Sequence, residues 1–136
     1  MWVYEQLTGH VSQDGVSKGT GYSGFEAGKN NPVMQDDKDV GPIPCGLYTV
    51  EPPRNTVEHG PFVLPLTPDP HNTMYNRDGF LCHGDSLRSP GQASRGCIIL
   101  NRALRDQIWV SGDHQLRVVP GVAVPAPAPT PEPIIA

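Results

Sequence analysis

Glycine and proline set the outer limits on this fold. The 136-residue chain carries 15 glycines and 16 prolines, which cut it into short apolar runs such as Leu47-Tyr48-Thr49-Val50 and Phe62-Val63-Leu64-Pro65-Leu66. Glycine supplies turn conformations and proline removes a backbone donor, so long helices cannot run through such punctuation. Charged residues make up only 18% of the chain. Both features point to a turn-rich, mostly β domain. One domain of this length buries a core large enough to stand without metal or disulfide staples.

Read in order, Trp2 to Gln6 and Val11-Ser12-Gln13 form two short strands around a turn at Leu7-Thr8-Gly9-His10. Gly15 to Gly28, with five glycines, reads as a tight loop; no strand and helix bracket it as a phosphate-binding fingerprint requires. Asp36-Asp37-Lys38-Asp39 is a solvated turn, since no glycine turn and distal glutamate follow in calcium-loop register. Gly41-Pro42-Ile43-Pro44-Cys45-Gly46 leads stiffly into the strand Leu47–Val50, which Pro52-Pro53 ends. Pro65 points to an edge position or a bulge for Phe62–Leu66. After a long polar connection, Gly79 to His83 is a strand. Leu100, Leu104 and Ile108 share one face of a helix predicted over 101–110, with Asn101 as its cap and Ser111-Gly112 as its stop. Leu116–Val119 is the last strand. From Pro120 onward the chain is Pro/Ala-rich, so the domain is expected over residues 1–119 and a flexible, disordered tail over 120–136.

A net charge of −4 without a basic stripe excludes nucleic acid and anionic membrane surfaces as partners. No stretch approaches the ~20 apolar residues of a membrane span, so membrane insertion is not expected. Met1 to Gln6 offers neither a basic n-region nor an apolar h-region, which predicts synthesis in the cytoplasm and no export by the general secretory route. Cys45, Cys82 and Cys97 cannot all pair within one chain, so at least one thiol is free and a disulfide framework is not expected.

The chemistry concentrates in Phe80-Leu81-Cys82-His83-Gly84-Asp85 and Ser94-Arg95-Gly96-Cys97-Ile98-Ile99-Leu100. A thiol needs a base to become a thiolate, and histidine supplies one near neutral pH. If the two segments pair side by side, His83 reaches Cys97. Gly96 lets backbone N–H groups point at a developing oxyanion. The base needs a partner to hold its tautomer, for which Asp85, Ser94 and the Gly84 carbonyl are candidates. Cys82, next to His83, points to the opposite face and reads as a small buried hydrophobe. A metal centre from Cys82, His83, Asp85 and Cys97 is disfavoured because adjacent ligands on one strand diverge, and no cofactor is called for. His10, His59, His71 and His114 read as solvated turn residues, with His71 and Asp69 as weaker candidates for a groove wall.

His83-Gly84 followed by Ser94-Arg95-Gly96-Cys97 resembles the signature of the L,D-transpeptidase (YkuD-like) family. Gly21-Tyr22-Ser23-Gly24, Asn30-Asn31-Pro32, Gly41-Pro42-Ile43-Pro44, Gly46, Tyr48 and His83-Gly84-Asp85 are similar to small members that include type VI secretion effectors; this covers roughly residues 1–119. The resemblance implies an L,D-transpeptidase-like β-sandwich or barrel with one short helix after the nucleophile. It further implies attack by Cys97 on the third residue of a peptidoglycan tetrapeptide stem, with loss of the terminal D-Ala and transfer of the thioester to water, a D-amino acid or another stem. In that scheme His83 is the base and Gly84 its orienting carbonyl. The N–H groups of Gly96 and Cys97 line the oxyanion hole, Ser94 shapes the turn, and Arg95, Asp85 and Tyr22 meet substrate. An antibacterial effector of this kind implies an immunity protein, a secretion-apparatus partner and delivery to the periplasm of a target bacterium.

Two departures stand out. Arg95 occupies the place of a second histidine, and Ile99 that of an Arg or Asn which engages the stem carboxylate; Arg95, Arg88 and Arg102 are the candidates to replace it. Readings from other classes are a cell-wall binding module without turnover and a phage or secretion structural protein that docks through its Pro-rich tail.

Overall fold

Side-chain alternation decides which faces meet. The computed structural model describes residues 1–121. Along β1 (Trp2–Glu5), Trp2 and Tyr4 are buried while Val3 and Glu5 are partly exposed. β2 (His10–Gln13), β3 (Val16–Thr20) and β4 (Tyr22–Ser23) follow, then 3₁₀ turns at Glu26–Gly28 and Pro32–Met34. Next come β5 (Gly46–Val50), β6 (Arg54–Thr56), β7 (Gly60–Pro68), β8 (Leu81–His83), β9 (Ile98–Ile99), α1 (Arg102–Val110) and β10 (Gln115–Val119). Tyr48 and Val50, Leu64 and Leu66, Cys82, Ile98, and Leu116 and Val118 join Trp2 and Tyr4 in one core. The helix adds Leu104 and Ile108, as the i, i+4 spacing predicts. Asn101 Oδ1 caps it by accepting from Leu104 N at 2.8 Å.

The strands pair in the order β3-β2-β1-β10-β5-β7-β8-β9-β4, with β6 added to β7. β1 with β10 and β8 with β9 are parallel; the other pairs are antiparallel. Only Gly21 separates β3 from β4, so the path of pairings returns to its starting stretch and the sheet is barrel-like and nearly closed. This bears out the expected mostly β class with one helix after Cys97. It also corrects the reading of Gly15–Gly28 as a loop: β3 and β4 lie within it. Its glycines serve the corner, where Gly21 N–H donates to Gly9 O at 2.8 Å and a Cβ on Gly21 would stand 2.0 Å from Ile99 O. Gly21→Ala is therefore expected to cost about 3 kcal/mol through overpacking against backbone. A lower urea midpoint at unchanged m checks this.

Pro65 does not make β7 an edge. β7 lies between β5 and β8, with Pro65 opposite Leu81. The Pro65 carbonyl accepts from Glu51 N at 2.8 Å, so its nitrogen faces the same side, at the break between the end of β5 and the start of β6. No ladder donor is required there, and proline is tolerated inside the sheet. The expected Pro-rich tail over 120–136 lies, apart from its first two residues, outside the described residues.

Candidate active site

β8 and β9 run side by side in parallel, with Cys82 opposite Ile98 and His83 opposite Ile99. Cys82 and Ile98 point into the core. Alternation places His83 and Cys97 on the other face of these adjoining strands, with Cys97 one register step beyond the ladder, beside Leu81. The paired segments anticipated from the sequence thus exist. Gly96 adopts φ 135°, and a Cβ there would stand 2.5 Å from Arg77 Nη2, so only glycine allows this turn into Cys97 and β9.

His83 is 3% exposed, and its Nδ1 lies 2.8 Å from the Gly84 carbonyl oxygen. A carbonyl only accepts, so Nδ1 carries the proton and Nε2 is left as the basic nitrogen. Of the three candidate orienting groups, the Gly84 carbonyl is the one in place. Burial, with the neighbouring His59 and Arg105, holds the imidazole below its ordinary range despite the Gly84 bond and Asp85. Burial pushes the Cys97 thiol up, against the opposing pull of the Leu81 N–H and the Arg77 charge. Both shifts favour neutral forms, so at pH 7 the resting pair is thiol and imidazole. Labelling of Cys97 by iodoacetamide, followed peptide by peptide in a mass spectrometer, should therefore rise about tenfold per pH unit between pH 6 and 8. A plateau across that range indicates a preformed thiolate–imidazolium pair and contradicts this assignment.

Beside His83 opens a cleft of about 620 Å³ whose walls include His59, Asp85, Arg88, Gln92 and Arg105. Cys97, partly buried next to Leu81, is not among its lining residues. Asp85 Oδ1 accepts from Tyr22 Oη at 2.6 Å and from Ser86 N at 2.8 Å, while Tyr22 Oη accepts from Ala93 N at 2.9 Å. Burial and the Asp85 bond push the Tyr22 phenol up to about 12, so it stays protonated as a donor to Asp85. These two residues tie β4 to the loop between His83 and Cys97. Ser94, fully buried, donates to Cys97 O at 2.6 Å and accepts from Gly24 N at 2.9 Å and Gly96 N at 3.1 Å. It shapes the turn, but in doing so it takes the Gly96 N–H. The Gly96 N–H that the resemblance assigns to the oxyanion hole thus donates to Ser94 Oγ in this structure.

Arg95 lays its guanidinium over the Phe25 ring, 4.2 Å from the centroid, and does not line the cleft. Arg102 pairs with Asp106 at 3.0 Å, which leaves Arg88 as the one cleft residue among the three arginines anticipated. His71 and Asp69 pair at 2.9 Å, with His71 lining a different depression that also holds Cys45.

Three residues escaped the sequence reading. His59, taken for a solvated turn residue, stacks on His83 with centroids 4.1 Å apart. Arg77 is 5% exposed and donates to the carbonyls of Gln35, Gly41, Pro42 and Arg95, clamping the Gly41–Pro44 segment to the turn before Cys97. Arg105, also buried, lies on α1 next to Leu104. Only Arg105 left a trace in the pattern, as a charge bordering the apolar helix face. His59 and Arg77 sit in connections without periodicity.

The family model described as the Tlde1 domain matches residues 17–123. The chain belongs to the Tlde1-domain family. It is thereby a member of a type VI secretion effector family. Among curated proteins none matches it significantly. The Tlde1 match takes in both halves of the site, from Ser17 in β3 through His83 and Cys97 to β10, while β1 and β2 precede it.

Proposed function

We propose that this chain is a cysteine-dependent L,D-carboxypeptidase and L,D-transpeptidase of YkuD-like chemistry. Its substrates are peptidoglycan tetrapeptide stems. The observation that carries this reading is the placement of Cys97 and His83 on one face of adjoining parallel strands, with His83 Nδ1 committed to Gly84 O.

In the proposed reaction the Cys97 proton passes to His83 Nε2 as sulfur attacks the carbonyl of the third stem residue. The tetrahedral oxyanion takes the Cys97 N–H, since Ser94 occupies that of Gly96. The C–N bond to D-Ala breaks, and its nitrogen receives the proton from His83. A thioester on Cys97 remains. Water then yields the free acid, a D-amino acid yields the exchanged stem, and a second stem yields a cross-link. For each acceptor His83 takes the incoming proton and returns it to the leaving sulfur.

As a member of its effector family the protein acts, on this proposal, in the periplasm of a target bacterium. It reaches that compartment through a secretion apparatus and is neutralised in the producer by an immunity protein. The expected result is loss of D-Ala from purified tetrapeptide muropeptides, or its replacement by added D-Met, read by mass spectrometry. Unchanged muropeptides with a folded protein favour the cell-wall binding module instead.

A further inference from the structure

The cleft beside His83 contains a buried cation with no counter-ion. Arg105 is 6% exposed, and among the described residues no carboxylate stands within ion-pair distance of it. Its Nη1 is fully engaged, donating to Pro61 O at 3.1 Å and Phe62 O at 2.9 Å. Phe62 adopts φ 55°, a left-handed conformation unusual for a bulky residue, where β7 turns two successive carbonyls onto that one nitrogen. The opposite edge of the guanidinium has no hydrogen-bond partner. Nε is buried without a partner, and Nη2 makes no hydrogen bond among the described residues.

Nη2 faces Gly84: a Cβ there would stand 2.9 Å from it. Arg105 lines the cleft, and no side chain at Gly84 covers Nη2, directly beside the residue whose carbonyl holds His83. An unpartnered guanidinium N–H at Nη2 matches a carboxylate oxygen. A buried, unpaired charge with an unsatisfied donor is costly in the empty protein, and an anion in the cleft offsets that cost.

We propose that Arg105 is the anion subsite of the cleft and binds a carboxylate of the acyl donor through its unpartnered Nη2. This rests on the stem-peptide reading above and extends it, because neither Arg95 nor Arg102 is placed to do the same. Arg88 lines the cleft but is exposed and lacks a fixed orientation from carbonyl partners. Neutralising Arg105 also relieves one of the influences that hold His83 below its ordinary range, so an anionic donor strengthens the base it is delivered to.

A tetrapeptide stem with a γ-linked D-glutamate, diaminopimelate and a terminal D-Ala offers three carboxylates, and selective amidation tells them apart. The test uses Cys97→Ala protein, so that binding is read without turnover. Calorimetry would compare the free peptide with three single amides, at the D-Ala carboxyl, the diaminopimelate side chain and the D-glutamate α-carboxyl. One amide is expected to bind at least about tenfold more weakly than the free peptide, which identifies the carboxylate bound. Adding Arg105→Gln should bring the free peptide down to that level and erase the discrimination, while Arg105→Lys restores part of it. Equal binding of all four peptides, no binding of any, or discrimination that survives Arg105→Gln in a folded protein overturns the subsite. D-Ala release by the intact protein is read separately, so a failed subsite leaves the proposed function standing.

Discussion

Cys97→Ala should lower D-Ala release from tetrapeptide stems by at least about 10³-fold, because no other group near His83 can form the thioester. Cys82 is no substitute: it faces the core, and burial pushes its thiol up to about 12. The substitution removes one sulfur from a partly buried position, and Ala fits the same backbone, so thermal unfolding should move by no more than a few degrees. Cys97→Ser should be nearly as inactive, since a hydroxyl is far harder to deprotonate by an imidazole already held below its ordinary range. Periplasmic expression in a sensitive bacterium provides the matching phenotype, with growth arrest from the intact chain and none from the alanine variant. Turnover by Cys97→Ala comparable to that of the intact protein contradicts the assignment of the nucleophile.

Arg77→Ala should be the most destabilising single change in the site, by about 3–5 kcal/mol. Four carbonyls from three separate stretches, Gln35, Gly41–Pro42 and Arg95, lose a charged donor at once. Against a total stability of roughly 5–15 kcal/mol, that loss lowers the melting temperature by roughly 10–20 °C. Arg77→Lys keeps the charge but not the planar fork, so most of the instability should remain. The two variants also separate packing from electrostatics. Arg77 favours the Cys97 thiolate through its charge, so thiol labelling at pH 8 should slow in Arg77→Ala and stay close to normal in Arg77→Lys. A melting temperature within a few degrees of the parent in Arg77→Ala contradicts the clamp.

What the sequence made legible follows from local physics. Period-2 runs such as Leu47–Val50 and Leu116–Val119, and the i, i+4 series Leu100, Leu104 and Ile108, are dictated by neighbours in the chain and are found where expected. The side-by-side pairing of the His83 and Cys97 segments was legible from residue type and order. The misread positions depend on partners distant in sequence. Gly21 is required by the approach of Ile99, Pro65 is admitted by the gap between β5 and β6, and His59 is recruited by stacking on His83. Arg77 acts on carbonyls as many as 42 positions away, which no local pattern announces. Gly96 illustrates a subtler limit. The need for glycine was visible, but the loss of its N–H to Ser94 Oγ required the folded turn.

The central claim is that Cys97 carries the acyl group, and mass spectrometry of the intact protein tests it most directly. On brief mixing with a tetrapeptide stem and quenching in acid, the chain should gain the mass of the stem less D-Ala. Peptide mapping should place the adduct on Cys97, and hydroxylamine should release it, as expected for a thioester. An adduct on another residue, or full release of D-Ala with no adduct in either the intact or the Cys97→Ala protein, would contradict the account.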